Sequence, residues 1–216
     1  MSDSKARYFN HVRADMMRFV PRGAARLLEI GCGAGGTMAA LRERQAVQWA
    51  GGVEYVPEAA EQAKAAFDKV WCIDAETTPF EGEIPPASLD AILCFDVLEH
   101  LVDPWSLVKR LTALLAQGGC LVVSVPNIRH WKFVRDLLFR GDFRYRDAGL
   151  LDRTHLRFFV RETAIELVTC GGLELAHVGP AKQWRSWSRR WLLSRLTFHA
   201  FDALAPIQFA LVAQKR

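Results

Sequence analysis

The chain has 216 residues, half of them apolar, which is enough to bury a substantial core, and 28 basic against 24 acidic side chains leave a formal charge of only +4. An excess that small does not demand a polyanion, so nucleic acid is the least favoured partner. The five cysteines are scattered with none in a CxxC, the start Met1-Ser2-Asp3-Ser4 leads into no apolar secretion segment, and no apolar run reaches membrane length, so a reducing, cytoplasmic setting is expected.

In chain order, residues 5–20 place Tyr8, Val12, Met16 and Phe19 at helical spacing and predict an N-terminal helix packed beside the rest of the fold. Leu27, Leu28 and Ile30 predict a strand that runs into Glu29-Ile30-Gly31-Cys32-Gly33-Ala34-Gly35-Gly36, a bend almost free of side chains before a helix. Glycines at alternate positions permit positive φ, and the helix start offers free N–H groups and a positive dipole end, so a large charged ligand can approach the backbone. Gly31, Gly33 and Gly36 satisfy a dinucleotide fingerprint, whereas Gly31, Gly33 and Gly35 after Glu29 satisfy a different one. A carboxylate at the strand's end repels a pyrophosphate and suits a cation. A bare strand-to-helix turn is the bland alternative.

Residues 48–54 predict a second strand ending on Glu54 and Tyr55, followed by Pro57 at a helix start and a helix over residues 58–67. Glu54 suits two ribose hydroxyls, because one carboxylate accepts from both. A third strand over 69–73 delivers Asp74 and Ala75. Taken singly, Glu54 and Asp74 read as turn or capping acids, but in order and at this spacing they read as a ligand set. Residues 89–95 form an apolar strand of the kind buried on both faces of a parallel sheet. Asp96-Val97-Leu98-Glu99-His100-Leu101 follows, with His100 expected to open the next helix. Asp103-Pro104 caps a helix running to Leu115, Gln117-Gly118-Gly119 stops it, and residues 120–125 make the fifth strand before Pro126-Asn127.

Glu29 with its glycines resembles motif I of class I S-adenosylmethionine-dependent methyltransferases, and the Asp-strand, Leu-Glu-His, helix, Gly-Gly, strand, Pro-Asn series resembles the regions that follow it there. The likeness is strongest over residues 27–127. It implies a Rossmann-like doubly wound α/β sheet with helices on both faces and seven strands, the last over residues 207–214 and antiparallel. It also implies one methyltransferase domain over residues 1–216, with a cofactor core at 26–127. In that likeness Glu29, Gly31, Gly33 and Gly35 hold the methionine side of S-adenosylmethionine, Glu54 the ribose, Asp74 with the Ala75 amide the adenine, and Asp96 the methionine or sulfonium end, with Tyr55 counted in the same cofactor-binding set.

Acceptor chemistry belongs beyond the carboxyl ends of the fourth and fifth strands. His100 and His155 both fall there and are the candidates for removing a proton from the acceptor. Asp96, Glu99, His100 and His155 also resemble the metal site of small-RNA 3′-end and ubiquinone-pathway O-methyltransferases, with Asp96 in place of the first acid. A divalent ion is therefore the alternative to a plain base. Residues 128–160, with a helix over 130–140 and the run Leu151-Asp152-Arg153-Thr154-His155-Leu156-Arg157, read as a substrate-side insertion in which Arg153 and Arg157 clamp an anion or pair with nearby aspartates. Residues 180–204 collect Trp184, Trp187 and Trp191 with Arg185, Arg189 and Arg190 on a predicted helix that serves as a lid, a peripheral membrane contact over 182–201 or a nucleic-acid surface. The expected acceptor is a small molecule or glycan intermediate, methylated on oxygen. The rivals are a catalytically silent cofactor-binding partner of the MetW-like kind and an NAD-dependent oxidoreductase.

Overall fold

The computed structural model describes residues 11–182 and 203–216. Strands and helices alternate: β1 (Arg26–Ile30), α1 (Gly36–Arg44), β2 (Trp49–Glu54), α2 (Pro57–Ala63), β3 (Lys69–Cys72), β4 (Leu89–Phe95), α3 (Pro104–Thr112), β5 (Leu115–Pro126), α4 (Trp131–Arg140), α5 (Arg161–Thr169), β6 (Glu174–Pro180) and β7 (Gln208–Gln214). Seven strands form one sheet in the order β3-β2-β1-β4-β5-β7-β6. The first five are parallel, and β7 slots antiparallel between β5 and β6. The chain leaves β1 toward one edge and returns at β4 toward the other, so the ends of β1 and β4 border the crevice where such sheets bind ligands.

Alternation along the central strands explains why helices must cover both faces. Leu28, Ile30, Ile92, Cys94, Leu121 and Val123 enter one apolar cluster, while Leu27, Ala91, Leu93, Phe95, Cys120 and Val122 enter the other. Successive side chains of a strand point to opposite faces, and here neither face is left to water. The α3 helix starts as its sequence requires. Asp103 accepts from the Ser106 N–H at 3.1 Å, Pro104 occupies the first turn, and Leu107, Val108 and Leu111 bury one face.

Several boundaries differ from the sequence-based expectation. Residues 14–16 form a turn and Met17–Phe19 a single 3-10 turn, so the expected N-terminal helix is absent from its described part; residues 1–10 lie outside the described residues. Met16 is fully buried at that turn while Val12 is exposed, which breaks the helical stripe. The α3 helix ends at Thr112, and β5 begins at Leu115 with a register shift opposite Leu89 and Ala91. Gly119 sits in this bulge, where a Cβ would lie 2.7 Å from the Leu89 carbonyl oxygen. His100 closes a 3-10 turn, Leu98–His100, instead of opening a helix. The tryptophan-arginine segment at 183–202 lies outside the described residues, and no helix among the described ones is long and apolar enough to cross a membrane.

Ile92 is fully buried at the sheet centre, so Ile92→Ala should destabilise the fold by about 2–5 kcal/mol through lost burial and a residual cavity. The denaturant midpoint should fall with an unchanged slope; a midpoint unaffected by the substitution contradicts this packing.

Candidate active site

The loop after β1 is built around backbone that side chains would obstruct. Gly31, Gly33 and Gly35 all have positive φ (+68°, +54° and +86°). At Gly31 a Cβ would fall 2.3 Å from Val97 Cγ2, so this bend and the end of β4 fit together only without a side chain. The Gly31 and Cys32 amides both donate to the Val53 carbonyl, at 2.8 and 3.1 Å, which ties the loop to β2. Glu54 then turns back on the loop. Its carboxylate accepts from the Gly33 N–H at 2.8 Å and the Val56 N–H at 2.9 Å, while Tyr55, next in the chain, is 73% exposed.

Glu29 is buried, and its Oε2 has no hydrogen-bond partner. Burial, reinforced by the neighbouring Glu54 charge, pushes its pKa up to about 8. Asp74 spends its carboxylate locally, accepting from the Glu76 N–H at 2.8 Å and the Thr77 hydroxyl at 3.0 Å. Arg110 holds the Ala75 and Glu76 carbonyls of the same loop, at 2.5 and 2.8 Å, and pairs with Glu81. Asp74 therefore closes its own turn just beyond β3.

At the end of β4 Asp96 adopts φ +55°, and its carboxylate is the hub of a network that the sequence did not disclose. It accepts from Arg13, from the Ser124 hydroxyl at 2.9 Å and from the Gln208 side-chain amide. Arg13 also donates to Ser124 Oγ, Gln208 Oε1 and Asp15, and its backbone N–H donates to Thr37 Oγ1 in the first turn of α1. Burial opposes the Arg13 charge, but Asp96 and Asp15 outweigh it and raise the pKa further. Nothing in the sequence distinguishes Arg13 from a surface arginine, because Asp96, Ser124 and Gln208 come to it from the end of β4, from β5 and from β7. A cavity of about 390 Å³ opens beside this hub, lined by His11, Arg13, Asp15, Asp96, Lys182 and Gln208 among others.

The second cluster joins Glu99, His100 and His155. One ligand atom of each lies within 4.8 Å of the others, and the two imidazole centroids are 4.8 Å apart. The backbone produces this meeting, since the Leu156 and Arg157 amides both donate to the Glu99 carbonyl, at 2.8 and 2.9 Å. Neither carboxylate oxygen of Glu99 has a partner, and burial and then Asp96 raise its pKa well above the usual range. Burial lowers the His100 pKa, which keeps the imidazole neutral and able to take a proton. Asp96, a fourth ligand only in the metal alternative, is not in this group, and its carboxylate is bonded by Arg13, Ser124 and Gln208. Arg153 pairs with Asp147 at 3.0 Å, while Arg157 donates to the Val102 carbonyl and lies over Trp105, so both have internal partners.

A mainly parallel sheet carrying a glycine bend at its switch point, with acids at the ends of β1, β2 and β4, defines a Rossmann-like enzyme that binds a nucleoside cofactor. Residues 5–178 match the family model described as a methyltransferase domain, and the chain belongs to that family. It is an S-adenosylmethionine-dependent methyltransferase. The chain is 28% identical over 193 residues to the ubiquinone biosynthesis O-methyltransferase of Xylella fastidiosa, covering 83% of this chain and 74% of that one. Its fold resembles that of an S-adenosylmethionine-dependent methyltransferase from Archaeoglobus fulgidus, with a TM-score of 0.67 at 19% identity over 97% of each chain. It also resembles the methyltransferase bound to the Trm112 activator of Haloferax volcanii, with a TM-score of 0.66 at 15% identity over 98% of this chain and 94% of that one.

Glu29 generates a pH prediction. The unfolded carboxyl ionises near pH 4.5, whereas the folded one holds its proton to about 8, so the folded state binds the extra proton between these values. Unfolding free energy should therefore fall as pH rises through that window. Glu29→Gln should remove this slope and raise ligand-free stability at pH 7 by on the order of 3 kcal/mol, while weakening S-adenosylmethionine binding roughly tenfold or more. Melting curves across pH and calorimetry check both halves; a variant with the wild-type pH slope contradicts the assignment.

Proposed function

We propose that this methyltransferase acts on an oxygen of a small-molecule acceptor, with His100 receiving the proton that the acceptor hydroxyl loses. The observation that carries this reading is the half-buried, neutral His100 against His155, one short turn beyond Asp96 and β4. The likeness to a ubiquinone biosynthesis O-methyltransferase agrees with an oxygen acceptor, and a glycan hydroxyl satisfies the same chemistry.

The residues fit S-adenosylmethionine on structural grounds. The bend at Gly31 and Gly33 leaves the backbone bare, Glu54 beside that bend would accept from the ribose hydroxyls, and Glu29 has an unpartnered buried oxygen that would suit a cation. Tyr55 would cover the nucleoside, Asp74 and Ala75 would border the adenine, and Asp96 would face the sulfonium end. When bound, the cofactor supplies an electrophilic methyl group whose transfer leaves a neutral thioether. The chain then has to orient the acceptor and take up one proton, the work of alignment and general base catalysis. His100→Ala should lower kcat by about 10²–10⁴-fold with cofactor affinity unchanged. A panel of phenolic, catecholic and sugar hydroxyls with isotopically labelled methyl donor reads this out; transfer to nitrogen or carbon alone, or full turnover by the variant, overturns it. Glu54→Ala should cost about 1.5–3 kcal/mol of cofactor binding, and an unchanged calorimetric affinity removes Glu54 from the ribose.

A specific observation favours a second reading of the same cluster. Glu99, His100 and His155 converge within ligating range, and the Glu99 carboxylate is buried with neither oxygen paired, so a divalent cation bound there would lower the pKa of an acceptor hydroxyl. Activity should then vanish on rigorous chelation and return with Mg²⁺, Mn²⁺ or Zn²⁺. Full turnover by metal-free enzyme leaves His100 as a plain base.

A further inference from the structure

We infer that Asp152 and Thr154 are positioning residues that lock His100 in its Nδ1–H tautomer and so leave Nε2 as the open lone pair. This deepens the reading of His100 as the acceptor-activating group and rests on it. His100 Nδ1 lies 3.2 Å from the Thr154 carbonyl oxygen and 3.1 Å from Thr154 Oγ1. A carbonyl oxygen can only accept, so the first contact is a hydrogen bond only when Nδ1 carries the proton.

The second contact is settled by Asp152. Thr154 Oγ1 stands 2.7 Å from Asp152 Oδ1, which also accepts the Thr154 N–H at 2.8 Å. The hydroxyl has one hydrogen, and a charge-assisted bond to a carboxylate at that distance outcompetes one to imidazole at 3.1 Å. With its hydrogen on Asp152, the hydroxyl can only accept from His100. The carboxylate thus acts on His100 through the hydroxyl without touching the ring.

The surroundings of His100 are consistent with this tautomer. His155 Nδ1 lies 3.3 Å from the Leu150 carbonyl oxygen and by the same logic carries its own proton. Asp152 and Asp96 act on His100 in the direction of the charged form, while burial and His155 act against it. Residues 146–155 hold the arrangement through the Arg146 N–H to Leu151, Arg153 N–H to Arg146 and His155 N–H to Asp152 backbone bonds. Which ring nitrogen is open is fixed by what the other nitrogen touches, and the loop that provides His155 also determines the direction in which His100 works.

Nitrogen-15 resolved NMR of the histidine side chains in the full chain tests this, with His100 assigned by its absence in His100→Gln. The wild-type spectrum should show protonated Nδ1 and bare Nε2 at neutral pH; the opposite tautomer overturns the inference without any variant. Asp152→Ala frees the Thr154 hydroxyl to donate to Nδ1, so the Nε2–H tautomer should grow and kcat should fall about 10- to 100-fold with KM and cofactor affinity unchanged. Asp152→Asn retains an acceptor oxygen and should keep the wild-type tautomer. The double variant Asp152→Ala with Thr154→Val removes the freed donor and should restore both the Nδ1–H tautomer and most of kcat, a recovery that a merely structural loop residue would not give. An unchanged spectrum in Asp152→Ala, or no recovery in the double variant, overturns the inference. Because the tautomer is read without turnover, the expected spectrum with a fully active His100→Ala enzyme would sink the proton-acceptor role and leave the positioning role standing.

Discussion

The contact between Gly31 and Val97 is the constraint on which the rest of the site depends. Strands β1 and β4 are hydrogen-bonded neighbours through Leu27–Ala91 to Ile30–Cys94, and both chains must turn away immediately afterwards. The first turns into the glycine bend, the second into Asp96, itself at positive φ. A side chain at residue 31 would push Val97 away and open the seam. Because it has none, two loops from opposite halves of the sheet close on each other. Glu29 and Glu54, at the ends of β1 and β2, consequently belong to one side of that seam, and Asp96, Glu99 and His100, beyond β4, to the other.

The parts of this arrangement written in local sequence are the parts that sequence reasoning recovers. The β4 run from Leu89 to Phe95 has no alternative to a doubly buried strand, Asp103-Pro104 has the chemistry of a helix start, and the antiparallel last strand follows from the family likeness. What remained illegible is carried by contacts between distant segments. Beyond Asp15 and Thr37, the Arg13 side chain reaches Asp96, Ser124 and Gln208, which lie 83 to 195 positions away, so no window of sequence contains its role. The same contacts help to explain why the expected N-terminal helix is interrupted. The Arg13 backbone donates to Thr37 while its side chain reaches Asp96, and tertiary pairing overrides helical periodicity there. The pairing of His100 with His155 was suggested by a motif, but their common approach to Glu99 depends on two backbone bonds to the Glu99 carbonyl that no motif encodes.

Asp74 illustrates the limit of spacing arguments from the other side. An acid after the third strand satisfies a cofactor pattern and a tight turn equally well, because both require a carboxylate just beyond a strand. In this structure the carboxylate holds the turn through the Glu76 N–H and the Thr77 hydroxyl, a role that the spacing alone does not separate from a contact to adenine. Glu54 is different in degree: its carboxylate also has backbone donors, yet one of them is Gly33 of the bend itself, so ribose and loop would share a single acid.

The electrostatic character of the site follows from these placements. Glu29 and Glu99 are buried with unpaired oxygens, and each is made harder to ionise by a neighbouring acid, Glu54 for one and Asp96 for the other. Unpaired buried acids are a local loss of stability that the apolar clusters on the two sheet faces must offset. A ligand that brings positive charge beside Glu29 favours its ionised form, so binding there is coupled to loss of the proton that the buried carboxyl otherwise holds. Binding to the folded state alone also stabilises it, by about 2.7 kcal/mol at a hundredfold excess over Kd. The unpaired acids that cost the ligand-free fold stability are thus the groups from which a cationic ligand would recover it, so site chemistry and fold stability share one physical source.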